Sequence, residues 1–178
     1  MKGRLKTIIL SALGAISAFG AVTYSSCKPD KCKAIVCAYG GVCKEGTCIC
    51  PTGYEGYQCE TIIRDKYEGV WTVEEHGSAS MPAFYDVVVQ PGATMTDMTI
   101  KNFYNKFISN VNIRVKGDTL YIPQQTIEGY EIKGTGYLFE SKHYGKNAEL
   151  RVHYTVKQPD CKVNDFGVNN EKYSKWNR

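Results

Sequence analysis

Glu74, Glu75 and His76 stand side by side, two carboxylates and an imidazole of the kind that general acid–base chemistry or a divalent cation requires. In an extended strand alternate side chains share a face, so Glu74 and His76 point one way and Glu75 the other. Two ligands do not make a metal centre, and neither His143 nor His153 has a spacing that adds a third. The cluster therefore reads as a solvated strand end, with no metal site. Cys161 and His153 together offer a thiol and an imidazole, the raw material of a nucleophile. The surrounding KQPDCKVNDFG supplies no oxyanion hole and reads as an exposed tail. No glycine-rich phosphate loop, serine elbow or His-Glu-x-x-His string occurs. The expectation is a non-enzyme with no catalytic residue and no cofactor.

The remaining chemistry is oxidative. Eight cysteines occur, at 27, 32, 37, 43, 48, 50, 59 and 161, and six of them crowd into a 28-residue window. Zinc would want ligand pairs of the Cys-x2-Cys type, which are absent. An even set at this density, in a segment too short to bury a core, reads as a disulfide framework made in an oxidising compartment. Spacing alone leaves about fifteen pairings open for six cysteines.

The spacing Cys32-x4-Cys37-x5-Cys43-x4-Cys48-x-Cys50-x8-Cys59, with YGGVC before the third cysteine and CICPTGYEGYQC at the end, resembles an EGF-like module. The resemblance implies bonds from Cys32 to Cys43, Cys37 to Cys48 and Cys50 to Cys59. Calcium-binding members carry acidic and amide residues ahead of the first cysteine. Here KPDK offers only Asp30, so no calcium is expected.

Residues 1–26 place Lys2, Arg4 and Lys6 before an apolar run over 7–22, the plan of a secretory signal that is shorter than a spanning helix needs. TYSSC is similar to a bacterial lipobox, with Tyr24 where leucine is usual. That resemblance implies acylation of Cys27, a tether over 27–31, and a protein held by lipid at the outer membrane or cell surface. The alternative is a Cys27–Cys161 disulfide, which would leave the protein secreted and untethered. Loss of three signal cations from a formal charge of +4 leaves +1, with no basic patch to neutralise phosphates, so nucleic acid is not an expected partner.

These features need a scaffold outside the cytoplasm. Beyond a module over 32–60, the sequence turns to β-branched and aromatic runs such as YEGVWTVEEH, AFYDVVVQ, NVNIRVKG and AELRVHYTV, parted by short turns. Val111, Ile113 and Val115 alternate with Asn110, Asn112 and Arg114, giving one buried and one wet face. The fold class is all-β: a disulfide-rich module, then a small antiparallel up-and-down β-barrel of about eight strands over 65–160, with a polar tail over 161–178. GYEIKGTG and TGYLFESK read as two of those strands.

YEGVWTV is similar to the opening strand of lipocalin and calycin-like barrels, whose Gly-x-Trp motif falls on Gly69 and Trp71. The resemblance implies that Trp71 closes one end against an arginine of the last strand, and Arg151 is the candidate by position. Asp118, Thr119 and Leu120 are similar to an O-glycosylation acceptor of some surface proteins. The expected function is non-enzymatic: a lipid-anchored stalk presenting a barrel to a surface protein or a glycan. The alternative is a carrier holding a small apolar ligand inside the barrel. If Val87, Val89, Ile100, Val111, Ile113 and Val115 meet in the middle, binding must be on the surface. Tyr85, Phe103, Tyr104, Tyr121, Tyr130, Tyr137 and Phe139 read as core or rim, and several of them lining one opening would form a platform for a sugar or an apolar ligand.

Overall fold

A computed structural model describes residues 30–139 and 148–178. The expected signal segment, Cys27, the first part of the expected tether and His143 lie outside the described residues.

Disulfides hold the first unit where a core is missing. Strands β1 (Val42–Lys44) and β2 (Thr47–Ile49) form a hairpin, and β3 (Tyr54–Glu55) pairs with β4 (Thr61–Ile62). Cys32 bonds Cys43, Cys37 bonds Cys48, and Cys50 bonds Cys59. Polar contacts tie the stapled unit to the larger domain. The Ile63 amide donates to the Gly53 carbonyl at 3.0 Å, and the Lys66 ammonium bridges Glu55 at 2.7 Å and Asp118 at 2.6 Å. Asp118, the first residue of the acceptor-like triplet, is thus already paired; Thr119 is half-buried, and Leu120 is in the core. The bonded cysteines are 11, 11 and 9 residues apart, loops whose closure is worth roughly 2.5–3 kcal/mol each. Reduction with dithiothreitol is therefore expected to melt this unit and leave a cooperative thermal transition for the barrel. Loss of that transition in circular dichroism would show that the barrel depends on the staples.

The barrel comprises β5 (Gly69–Glu75), β6 (Ala83–Pro91), β7 (Asp97–Lys101), β8 (Val111–Lys116), β9 (Thr119–Ile127), β10 (Tyr130–Phe139), β11 (Glu149–Lys157) and β13 (Ser174–Asn177), all paired antiparallel. From β5 to β11 each strand pairs with the next in sequence, and β13 then sits between β11 and β5 to close the ring. Strand β12 (Val163–Phe166) shares an edge with β13. It pairs with the second half of β11, and β13 pairs with the first. The final staff is therefore split by an excursion over 167–173.

Two expectations are corrected here. Residues 161–178 are not a polar tail: they hold β12 and β13, and Phe166 and Trp176 are fully buried. Cys161 lies exposed in the tight turn between β11 and β12. Over the described residues GYEIKGTG and TGYLFESK are not two strands: Tyr130–Phe139 is one continuous strand, β10. Its glycines are not a turn. Gly134 faces inward, where a Cβ would fall against the His153 carbonyl oxygen and 2.5 Å from the Tyr154 Cβ, so only a bare backbone lets β11 run this close. The two errors offset each other in the strand count.

Inward residues fill the ring. Val87, Val89, Ile100, Val111, Ile113 and Val115 all lie in one core cluster at 0–1 % exposure, together with Leu120, Ile132, Leu150, Val152 and Val156. At the end away from the disulfide unit a 3-10 turn (Phe103–Asn105) drops Phe103 inward, 4.8 Å from the Tyr154 ring and 6.2 Å from that of Trp176. Phe107 and Phe166 complete this aromatic plug.

Candidate functional site

At the end nearest the disulfide unit, Gly69 and Trp71 open β5 as expected, but Arg151 does not meet them. Its strand neighbours Leu150 and Val152 are wholly buried, so Arg151 faces outward. There it pairs with Glu149 and lies 4.4 Å from the Phe139 ring centroid. The cation over Trp71 belongs to Arg178, whose guanidinium lies 5.2 Å from the indole and donates to the Glu68 carbonyl at 2.6 Å. The Trp71 indole N–H donates to the Tyr67 carbonyl at 2.7 Å. Treating 161–178 as tail hid the true last strand, and with it the arginine just beyond that strand's end.

The acid–imidazole cluster separates by face. Glu74 and His76 are exposed; Glu75 follows Trp71 and Val73 inward and is 5 % exposed. Its carboxylate accepts from Tyr85 Oη at 2.8 Å, Tyr154 Oη at 2.7 Å and Ser174 Oγ at 2.7 Å. The Trp176 indole N–H donates in turn to Ser174 Oγ at 2.8 Å. Burial raises the Glu75 carboxyl above the ordinary range, partly opposed by its three hydroxyl donors. Burial also raises both phenols. This network joins β5, β6, β11 and β13, and it uses the carboxylate as an acceptor hub within the fold.

Among the described residues no group of three His, Cys, Asp or Glu side chains is placed to hold a metal. Cys161 and His153 are kept apart: β11 runs four residues beyond His153 before the turn that carries Cys161 begins. The His153 Nδ1 lies 2.9 Å from the Gly167 carbonyl oxygen. A carbonyl only accepts, so Nδ1 carries the proton and Nε2 is the free acceptor of the neutral ring. Gly167 has φ +86°, and a Cβ there would sit 2.9 Å from that same Nδ1, so the excursion can press against the histidine only as glycine.

The outer face of β8 to β11 carries two grooves, and a third, of about 490 Å³, lies beside Glu74, His76, Lys172 and Lys175. Registered pairs put Arg114, Tyr121, Thr135 and His153 in one cross-strand row. A groove of about 540 Å³ lies where the disulfide unit meets this face, floored by Tyr54, Ile63 and Val115 and flanked by Arg114, Lys116 and Tyr121. A second groove, of about 500 Å³, is bounded by Lys133, Thr135, Tyr137 and His153, with Gly167 and Val168 at its far rim. Tyr121 and Tyr137 are 44 % and 48 % exposed, half a ring each left to solvent. From the sequence these tyrosines are two of seven aromatics read as core or rim; that they flank grooves is not legible there, because one groove needs the disulfide unit and the other needs the excursion.

No protein-family model matches the sequence. Among solved structures the chain is similar to a Bacteroides ovatus protein described as a structural genomics target of unknown function. Identity is 15 %, the TM-score is 0.41, and the match covers 62 % of this chain and 41 % of the other. The chain thus spans under half the length of that protein.

Proposed function

We propose that this protein is a non-enzymatic, lipid-anchored component of the cell surface, in which an EGF-like module serves as a stapled stalk for a calycin-like barrel that meets a surface protein or glycan. The observation that carries this reading is the filled core: the six residues from Val87 to Val115 that would line a ligand chamber pack against one another at 0–1 % exposure. A carrier needs a pocket of several hundred Å³ that encloses most of its ligand. The cysteine pairing and the Trp71–Arg178 contact support the EGF-like and calycin-like resemblances.

Dye displacement with fatty acids and with haem tests the carrier alternative. No saturable uptake is expected, and one-to-one saturation would overturn the presenter reading. The anchor is tested by the intact mass of the mature protein from the membrane fraction of a bacterial host. A chain starting at Cys27 with diacylglycerol and acyl groups, lost in Cys27→Ala, is the expected result. An unmodified chain lighter by a fourth disulfide would make it a secreted protein.

A further inference from the structure

We propose that the outer face of β8 to β11 binds an acidic oligosaccharide, laid across the strands from the junction with the disulfide unit to His153. This deepens the presenter reading and rests on it. The row Arg114, Tyr121, Thr135, His153 crosses three inter-strand steps of about 4.8 Å, or roughly 14 Å in all, the reach of a trisaccharide. Grooves lie along both parts of that row, so a ligand would be cradled rather than laid on a flat sheet.

The chemistry of the walls selects the ligand. The charged groups on them are all basic: Arg114 and Lys116 in the first groove and Lys133 in the second. Asp97 pairs with Arg114 at 3.2 Å, leaving Lys116 and Lys133 without an ion pair among the described residues. The result is a net attraction for carboxylate or sulfate. Tyr121 and Tyr137 offer half-exposed rings, which suit the apolar C–H face of a pyranose. Thr135 Oγ1 and, in the neutral ring, His153 Nε2 supply acceptors for sugar hydroxyls. An acidic peptide would use the cations and leave the ring faces idle. A single-stranded nucleic acid would use both, but it neutralises its phosphates with clustered cations, and this face offers only Lys116 and Lys133 unpaired.

The test is calorimetric titration of the full mature chain with trigalacturonate and with a heparin-derived tetrasaccharide. One-to-one binding of at least one is expected, weakened severalfold between 50 and 200 mM salt as an order-of-magnitude range. It should weaken at least tenfold in Tyr121→Ala and in Lys133→Ala, whose exposed side chains leave the melting temperature in place. Tyr57→Ala, on the disulfide unit, should bind as the parent does. Failure of both saccharides to bind a chain that also takes up no fatty acid or haem would sink the saccharide site and leave the presenter reading standing. Saturable fatty-acid or haem uptake would instead sink the presenter reading. Equal binding of maltotriose, triglutamate or oligo-deoxythymidylate would overturn the ligand class.

Discussion

A chain ending at Asp160 is expected to lose the barrel altogether. Such a cut removes β12 and β13, the partners of both halves of β11, and leaves β5 unpaired on its β13 side. Two open edges then face solvent, each a template for aggregation. The cut also deletes Trp176 and Phe166, both at 0 % exposure, and Ser174, one of the donors to Glu75. Trp176→Ala alone should cost about 3–5 kcal/mol, against a typical domain stability of about 5–15 kcal/mol. The truncated chain should therefore be insoluble, or bind anilinonaphthalene sulfonate without a cooperative melt. Soluble protein with a sharp thermal transition would show that β5 to β11 close without the last staff.

The last staff is also the part of the barrel that the sequence conceals. The alternation of Val111, Ile113 and Val115, or of Leu150, Val152, Tyr154 and Val156, was legible because a strand with one buried face writes its period into the sequence. The last staff has no such signature. VNDF and SKWN are four residues each, and Asn164 and Asp165 are buried because loops satisfy them. The Ala79 amide donates to Asn164 at 2.8 Å, and the Val168 amide to Asp165 at 2.8 Å. Buried polar residues with distant partners look like surface from the sequence alone. Gly134 misled for the complementary reason: its role is set by the close approach of His153 and Tyr154 on the adjacent strand β11, some twenty residues on, and such an approach leaves no local pattern. The grooves fall in the same class. Tyr121 and Tyr137 read from the sequence only as core or rim aromatics, and the concavity beside them comes from the disulfide unit and the 167–173 excursion folding against them.

Glu75→Leu is the second large effect. A buried charge can often be replaced by an apolar side chain at little cost, because its desolvation penalty vanishes with it. Here the donors stay behind. Tyr85, Tyr154 and Ser174 would each keep a buried hydroxyl without its acceptor, at about 1–3 kcal/mol apiece, so a net loss on the order of 3 kcal/mol or more is expected in urea unfolding. Adding Tyr85→Phe and Tyr154→Phe to Glu75→Leu should recover much of it, because two of the stranded groups leave. If the triple variant is no more stable than Glu75→Leu, the hydrogen bonds are not the source. The pH dependence carries a definite sign. Burial raises the folded-state pKa of Glu75, so its protonated form is favoured by folding, and that contribution is full below the unfolded carboxylate range and lost as pH rises through the folded-state value. Glu75→Gln cannot ionise and should lack this dependence. Between acidic and neutral pH the wild type should therefore lose stability relative to Glu75→Gln, by about 1.4 kcal/mol for each pKa unit of the shift. Parallel curves for the two proteins would mean that the three hydroxyl donors compensate the carboxylate fully for the water it gave up.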